Sequence, residues 1–270
     1  MIQTTIAHHL DTHLLSLRDG LKRYMAYAAP RRMHKVRVDM KNIRAVFFLL
    51  EDGPHGKKAH RTHREVKRVF AAAGKVREYQ LDIAWFRLHR KTMLLRTMKR
   101  IPQLKKANAL FLTSIPGSVR ALKKAGQTGR SLLKKTSEGD IFRYFQSLLN
   151  AVLSALQPPW PEAHWHDLRK HAKKLLIAGQ WLAEGKPPSA SVHVFLADLD
   201  LLQKAIGNWH DLILLDQAIR EIRATAVQNA IAQKESAQAT RILAAEISAR
   251  ALKVRNVLSV MRKRWILGTP

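Results

Sequence analysis

No cysteine occurs anywhere in the chain. That excludes a disulfide scaffold and thiolate metal ligation, and it fits a protein of the reducing cytoplasm. Carboxylates are scarce: 20 Asp and Glu stand against 48 Lys and Arg, a formal charge of +28. From Ile83 to Ser137 there is not one acidic residue. Aromatic residues make up only 7% and mostly fall at apolar helical positions, leaving few platforms for stacking bases. Apolar runs such as AVFFLL are far too short to cross a bilayer. The opening MIQTTIAHHLDTHLL lacks the charged-then-apolar layout of a signal peptide, so a soluble protein is expected. Also missing are a phosphate-cradling glycine loop, a nucleophile elbow and an H-E-x-x-H pair. No catalytic residue and no cofactor are therefore assigned, and an enzyme is not expected.

What is present is a chain able to build a core, with 46% apolar residues, and a cationic excess far beyond what solubility needs. Such a field implies an anionic partner: nucleic acid, an anionic membrane or a phosphate polymer. The charge is uneven. Residues 1–137 hold 31 basic and 8 acidic side chains, residues 138–270 hold 17 and 12.

Apolar residues recur at helical spacing throughout and no period-two run appears, so the expected class is all-α. Glycine and proline punctuate the pattern. Helices are expected over 3–28, 33–50, 55–73, 76–100, 118–135, 140–156, 161–183, 190–206, 208–230 and 233–265. The last two could form one longer helix. A connection containing Pro102 and Pro116 is expected over 101–117. Gly74 and Gly207 are read as left-handed C′ residues ending one helix. Glu78 and Asp211 would then sit in the first turn of the next, where the dipole favours acids.

The most informative stretch is MHKVRVDMKNIRAVFFLL, residues 33–50. At about 100° per residue, His34, Arg37, Lys41 and Arg44 share an arc of roughly 80°. Met33, Val36, Met40, Ile43, Phe47 and Leu50 occupy the other side. The basic rail spans about 15 Å at ~1.5 Å per residue, with donors three, four and three residues apart. A lone phosphate needs only a nest or a helix end; a line of donors suits a linear polymer. The pattern returns as His166, Arg169 and Lys173 in WHDLRKHAKKLL, with Lys170 adjacent and Leu176 where Arg44 stands. The Gly74-Lys-Val-Arg77-Glu78 element likewise returns as Gly207-Asn-Trp-His210-Asp211. Two landmarks in the same order mark an internal duplication.

Thirteen histidines make metal binding worth weighing. His60-x-x-His63 and His164-x-His166 bring imidazoles near one another, yet apart from Asp167 no carboxylate stands at a familiar ligand spacing. No metal site is assigned. The acids Asp198, Asp200, Asp211, Asp216 and Glu221 read as helix-surface or capping residues.

The two H-x-x-R-x-x-x-K helices, each followed by G-x-x-[RH]-[DE], resemble the conserved histidine α-helical domain, CHAD, over roughly residues 3–265. The resemblance implies two four-helix-bundle repeats, about 3–100 and 118–265, related by pseudo-twofold symmetry around a basic central groove or pore. It implies binding of inorganic polyphosphate and association with polyphosphate granules in the cytoplasm. By match, the contacts would be His34, Arg37, Lys41 and Arg44 on one side and His166, Arg169, Lys170 and Lys173 on the other. The chain departs from the family pattern at Gln80 and Ile213, where an Asp is frequent, and at His210, where an Arg is usual. It carries no E-x-E-x-K motif of the triphosphate tunnel domain to which many relatives are fused. A stand-alone, monomeric polyphosphate-binding protein is thus expected; a nucleic-acid-binding protein is the alternative, and a metal-dependent phosphohydrolase a third reading.

Overall fold

A computed structural model describes residues 2–88, 94–183, 189–224 and 230–268. All regular structure among them is helical: α1 (Ile2–Ala26), α2 (Pro30–Asp52), α3 (Gly56–Leu88), α4 (Leu94–Leu133), α5 (Glu138–Ala155), α6 (Glu162–Ala183), α7 (Ala190–Ala224) and α8 (Ala230–Trp265). The chain divides into two compact units, one from Met1–His89 and Arg96–Tyr144, the other chiefly from Phe145–Pro270. No described helix is long and apolar enough to cross a membrane.

In the first unit α2 is the central element. Pro30 opens it, its ring already holding the helical φ. Met33, Val36, Met40, Ile43, Phe47 and Leu50 are all buried, as their spacing predicts. Ala45, Val46 and Leu49 are buried as well, so the second half of α2 is enclosed on more than one face. The helices run antiparallel. Gly20 of α1 meets Val36 of α2, and Asp39 of α2 accepts hydrogen bonds from His13 Nδ1 (2.9 Å) and Ser16 Oγ (2.8 Å) on α1. Asp39 is itself buried, and these donors compensate its lost hydration. On α4, Gly126 and Gly129 let the backbone approach Leu14 and Leu10 of α1, while Tyr24 donates to Asn108 at 2.6 Å. A buried Asp82–Arg100 pair, 3.0 Å apart, ties α3 to α4.

In the second unit α6, α7 and α8 pack together. Trp165 of α6 and Trp209 of α7 meet edge to face with centroids 4.9 Å apart. Arg255 of α8 pairs with Glu162 at 3.0 Å, and Trp265 Nε1 donates to Asp198 at 2.8 Å. α7 and α8 lie against one another as separate helices, so the single long helix is not formed; their junction at 225–229 is outside the described residues.

Three expectations are corrected. Gly74 and Gly207 do not end helices but lie inside α3 and α7, and Glu78 and Asp211 accordingly open no new helix. Among described glycines only Gly268 has a positive φ. The 101–117 connection is also helix, because α4 runs through Pro102 and Pro116. A proline inside a helix costs about 3 kcal/mol. α4 holds two, and burial of Phe111, Ile115 and Leu122 along the same helix contributes roughly 1.5–3 kcal/mol each, a stabilisation of the same size as that cost.

Candidate functional site

The interior glycines explain how the rails are built. A Cβ on Gly74 would lie 2.8 Å from Arg37 Nη1, and one on Gly207 would lie 3.0 Å from Arg169 Nη2 and 3.1 Å from its Nε. Each glycine is therefore a bare patch of helix across which the rail arginine lies. Arg37 Nη1 donates to the Phe70 carbonyl at 3.4 Å, four residues before Gly74. Arg169 Nε donates to the Gln203 carbonyl at 3.3 Å, four residues before Gly207. The two units thus share one local geometry: H-x-x-R on one helix, crossing at glycine on the next, with a long bond to the carbonyl one turn earlier. The glycine recurs because any side chain there would displace the guanidinium.

The rails consequently run along a helix–helix seam rather than over an open surface. In the first, His34 is exposed while Arg37, Lys41 and Arg44 are half-buried. In the second, His166, Arg169 and Lys173 are half-buried and Lys170 is exposed, its Nζ 2.9 Å from Asp167. His34, Arg37, Lys41 and Arg44 all lie on α2, and His166, Arg169, Lys170 and Lys173 all lie on α6.

Arg44 has a more elaborate setting than the pattern suggests. Its guanidinium lies 4.5 Å from the centre of the Phe70 ring, and Arg37 lies 4.4 Å from the same ring. Phe70 is thus a shared shelf for two guanidiniums two helical turns apart, each held by attraction to the ring face. Arg44 Nε also donates to His63 Nε2 at 3.2 Å, and His63 Nδ1 donates to Glu51 at 2.8 Å. The same Glu51 oxygen meets His60 at 3.1 Å. In the second unit Gln203 replaces Phe70 and Leu176 replaces Arg44, so shelf and second arginine are lost together. Phe70 and His63 were missed as site residues because neither lies on the rail helix. The available clue was that Phe70 precedes Gly74 by one turn.

His63 is fully buried, and only a neutral imidazole can both accept from Arg44 and donate to Glu51. Burial pushes its pKa down to about 4, against the pull of Glu51. Burial does the same to His9, with His13 and His8 contributing. An unfolded histidine takes up its proton near 6.5. Between these values the unfolded chain binds more protons, so stability falls as pH drops. We expect His63 alone to cost about 2 kcal/mol between pH 6.5 and 5. Thermal melts across that range should show the loss, with a smaller slope for His63→Gln, whose amide can keep both bonds. Equal slopes would mean that His63 takes up its proton at the same pH folded and unfolded, and that its burial does not bear on stability.

Among the described residues no group of three or more His, Asp or Glu is placed to hold a metal ion. His60 and His63 converge on Glu51 instead, and the His166 ring lies beside that of His210.

A family model for the CHAD domain matches residues 8–220. Among solved structures, the crystal structure of the CHAD domain from the plant Ricinus communis aligns with a TM-score of 0.79 at 15% identity, covering 96% of this chain and 92% of that one. The likeness is one of fold. No curated protein matches the chain.

Proposed function

The chain belongs to the CHAD domain family, and from that premise we propose that it binds inorganic polyphosphate along its two rails without turning it over. The observation that carries this reading is the repeated seam: the same His-Arg-Lys order, with the arginine seated over an interior glycine, built twice in one chain. Arginine offers paired donors to phosphate oxygens, and lysine a mobile point charge. Spaced three and four residues apart, they address charges repeating along a polymer better than one compact anion.

Both rails contacting one polymer, across the basic groove or pore that the family resemblance implies, is part of this proposal. So are pseudo-twofold symmetry of the repeats, a monomeric state and association with polyphosphate granules in the cytoplasm. Binding of this kind releases counterions, so affinity should fall steeply with salt, roughly as the power 0.7 per phosphate contact if the single-strand value applies.

The test is competition at fixed salt. Long-chain polyphosphate should displace single-stranded nucleic acid from the protein, and the reverse should fail at equal phosphate concentration. The opposite result would favour the nucleic-acid reading, whose support is the +28 charge. Incubation of polyphosphate with the protein and divalent metals should release no phosphate; sustained release would replace binding with hydrolysis.

A further inference from the structure

The second rail differs from the first in a way that its H-x-x-R-x-x-x-K pattern does not show. His210 on α7, which stands where the first unit has Arg77, brings its ring to within 4.6 Å of the His166 ring on α6, centroid to centroid. The planes are inclined by 43°, and both rings are half-buried. His166 Nδ1 is buried and has no hydrogen-bond partner among the described residues. Three residues before His210 lies Gly207, with the Arg169 guanidinium across it.

The charged groups that act on this pair come from both helices. On α6 they are Arg169, Lys170 and Asp167, and on α7 Asp211. The two acids are exposed, and Asp167 is already engaged by Lys170. Burial together with the neighbouring cations lowers the pKa of both histidines, and the His166 imidazole further disfavours a proton on His210. At neutral pH the pair therefore carries little charge in the free protein. A row of phosphate oxygens along the rail reverses that balance, since an adjacent anion favours the charged imidazolium. The first unit has a permanently charged Arg77 at the matching position and offers no such response there.

We propose that His166 and His210 form a proton-linked phosphate clamp, taking up protons as polyphosphate docks on the second rail. His210 is then a binding residue, and the second rail grips more firmly as pH falls while Arg37, Lys41, Arg44 and Arg77 hold their charge. No bond is made or broken; the protons come from solvent. The inference rests on the polyphosphate reading of the rails.

The experiment is calorimetric titration of the full chain with long-chain polyphosphate, whose interior groups stay ionised from about pH 5.5 to about pH 8. Buffers of differing ionisation enthalpy at constant salt report the protons taken up. At pH 7 we expect a net uptake of about one proton, and an affinity rising about thirtyfold over the window. His210→Arg should bind at pH 8 at least as tightly as the native chain while losing most of the uptake and the pH dependence. His210→Gln should lose the His210 share of the uptake, leaving that of His166, and bind weakly at both ends, and His34→Gln should leave the His210-dependent part in place. Circular dichroism checks that each variant is folded. Native-like uptake in both His210 variants, or an affinity independent of pH, overturns the clamp and leaves the rails standing. No polyphosphate binding at any pH overturns the rails and the clamp together.

Discussion

Replacing Lys41 and Lys173 together by glutamate should remove polyphosphate binding, by at least about a hundredfold at low salt, while leaving the helical spectrum intact. Both lysines are half-buried in the middle of their rails. The change reverses charge where the polymer must pass, so repulsion replaces attraction at two points. The arginines are less suitable for this test. Arg37 and Arg169 donate to the Phe70 and Gln203 carbonyls and are part of helix packing. Their loss would mix binding with stability. With the lysines neutralised to methionine instead, the salt dependence should weaken by about 1.4 in slope, roughly 0.7 for each contact removed. Full affinity retained by the Lys41→Glu, Lys173→Glu chain would rule out the rails as the binding surface. Should either single variant lose as much as the double, both rails serve one polymer; independent losses would assign each its own.

The second large effect should come from a substitution that changes no charge. Gly74→Ala with Gly207→Ala should reduce polyphosphate affinity about tenfold, with stability unchanged or slightly raised. Mid-helix alanine is favoured over glycine by roughly 0.5–1 kcal/mol. Against this, the new methyl would overlap Arg37 Nη1 and crowd three guanidinium atoms of Arg169. These are ends of flexible side chains, so they swing aside rather than unfold the helix. The cost is the long carbonyl bonds and, for Arg37, the contact with the Phe70 ring, worth about 0.5–1 kcal/mol. The arginines then leave the line of donors that the polymer meets. Had these glycines been left-handed helix ends, alanine would have been destabilising, so thermal melts beside binding curves decide between the two roles. A double variant that is strongly destabilised, or that binds normally, would refute this seating.

A smaller effect belongs to Arg44. Its Nε is engaged by His63 and its guanidinium is held against Phe70 and Phe48. Burial also disfavours its charge, with Glu51 opposing that. Arg44→Ala should therefore weaken binding less than Lys41→Ala does, but cost more stability, because His63 and Phe70 lose a partner.

Periodicity and composition were enough for several features. They identified the all-α class and the buried face of α2, and they placed the basic residues of each rail on one helix, because each of these is a local property of spacing along a helix. The family followed from motifs whose order survives in the chain itself. The breaks were the unreliable part. Gly74, Gly207, Pro102 and Pro116 look like helix ends to any local rule, since their intrinsic cost is the same wherever they occur. Only the neighbouring helix shows that Gly74 and Gly207 make room for an arginine, and that buried Phe111 and Ile115 carry α4 through its prolines. The seam itself is equally invisible in one dimension. Phe70 and His63 lie 33 and 29 residues from Arg37 and His34, and His210 lies 44 from His166. What brings them to the rails is antiparallel packing of α2 on α3 and of α6 on α7, a contact between distant segments that no single helical period encodes.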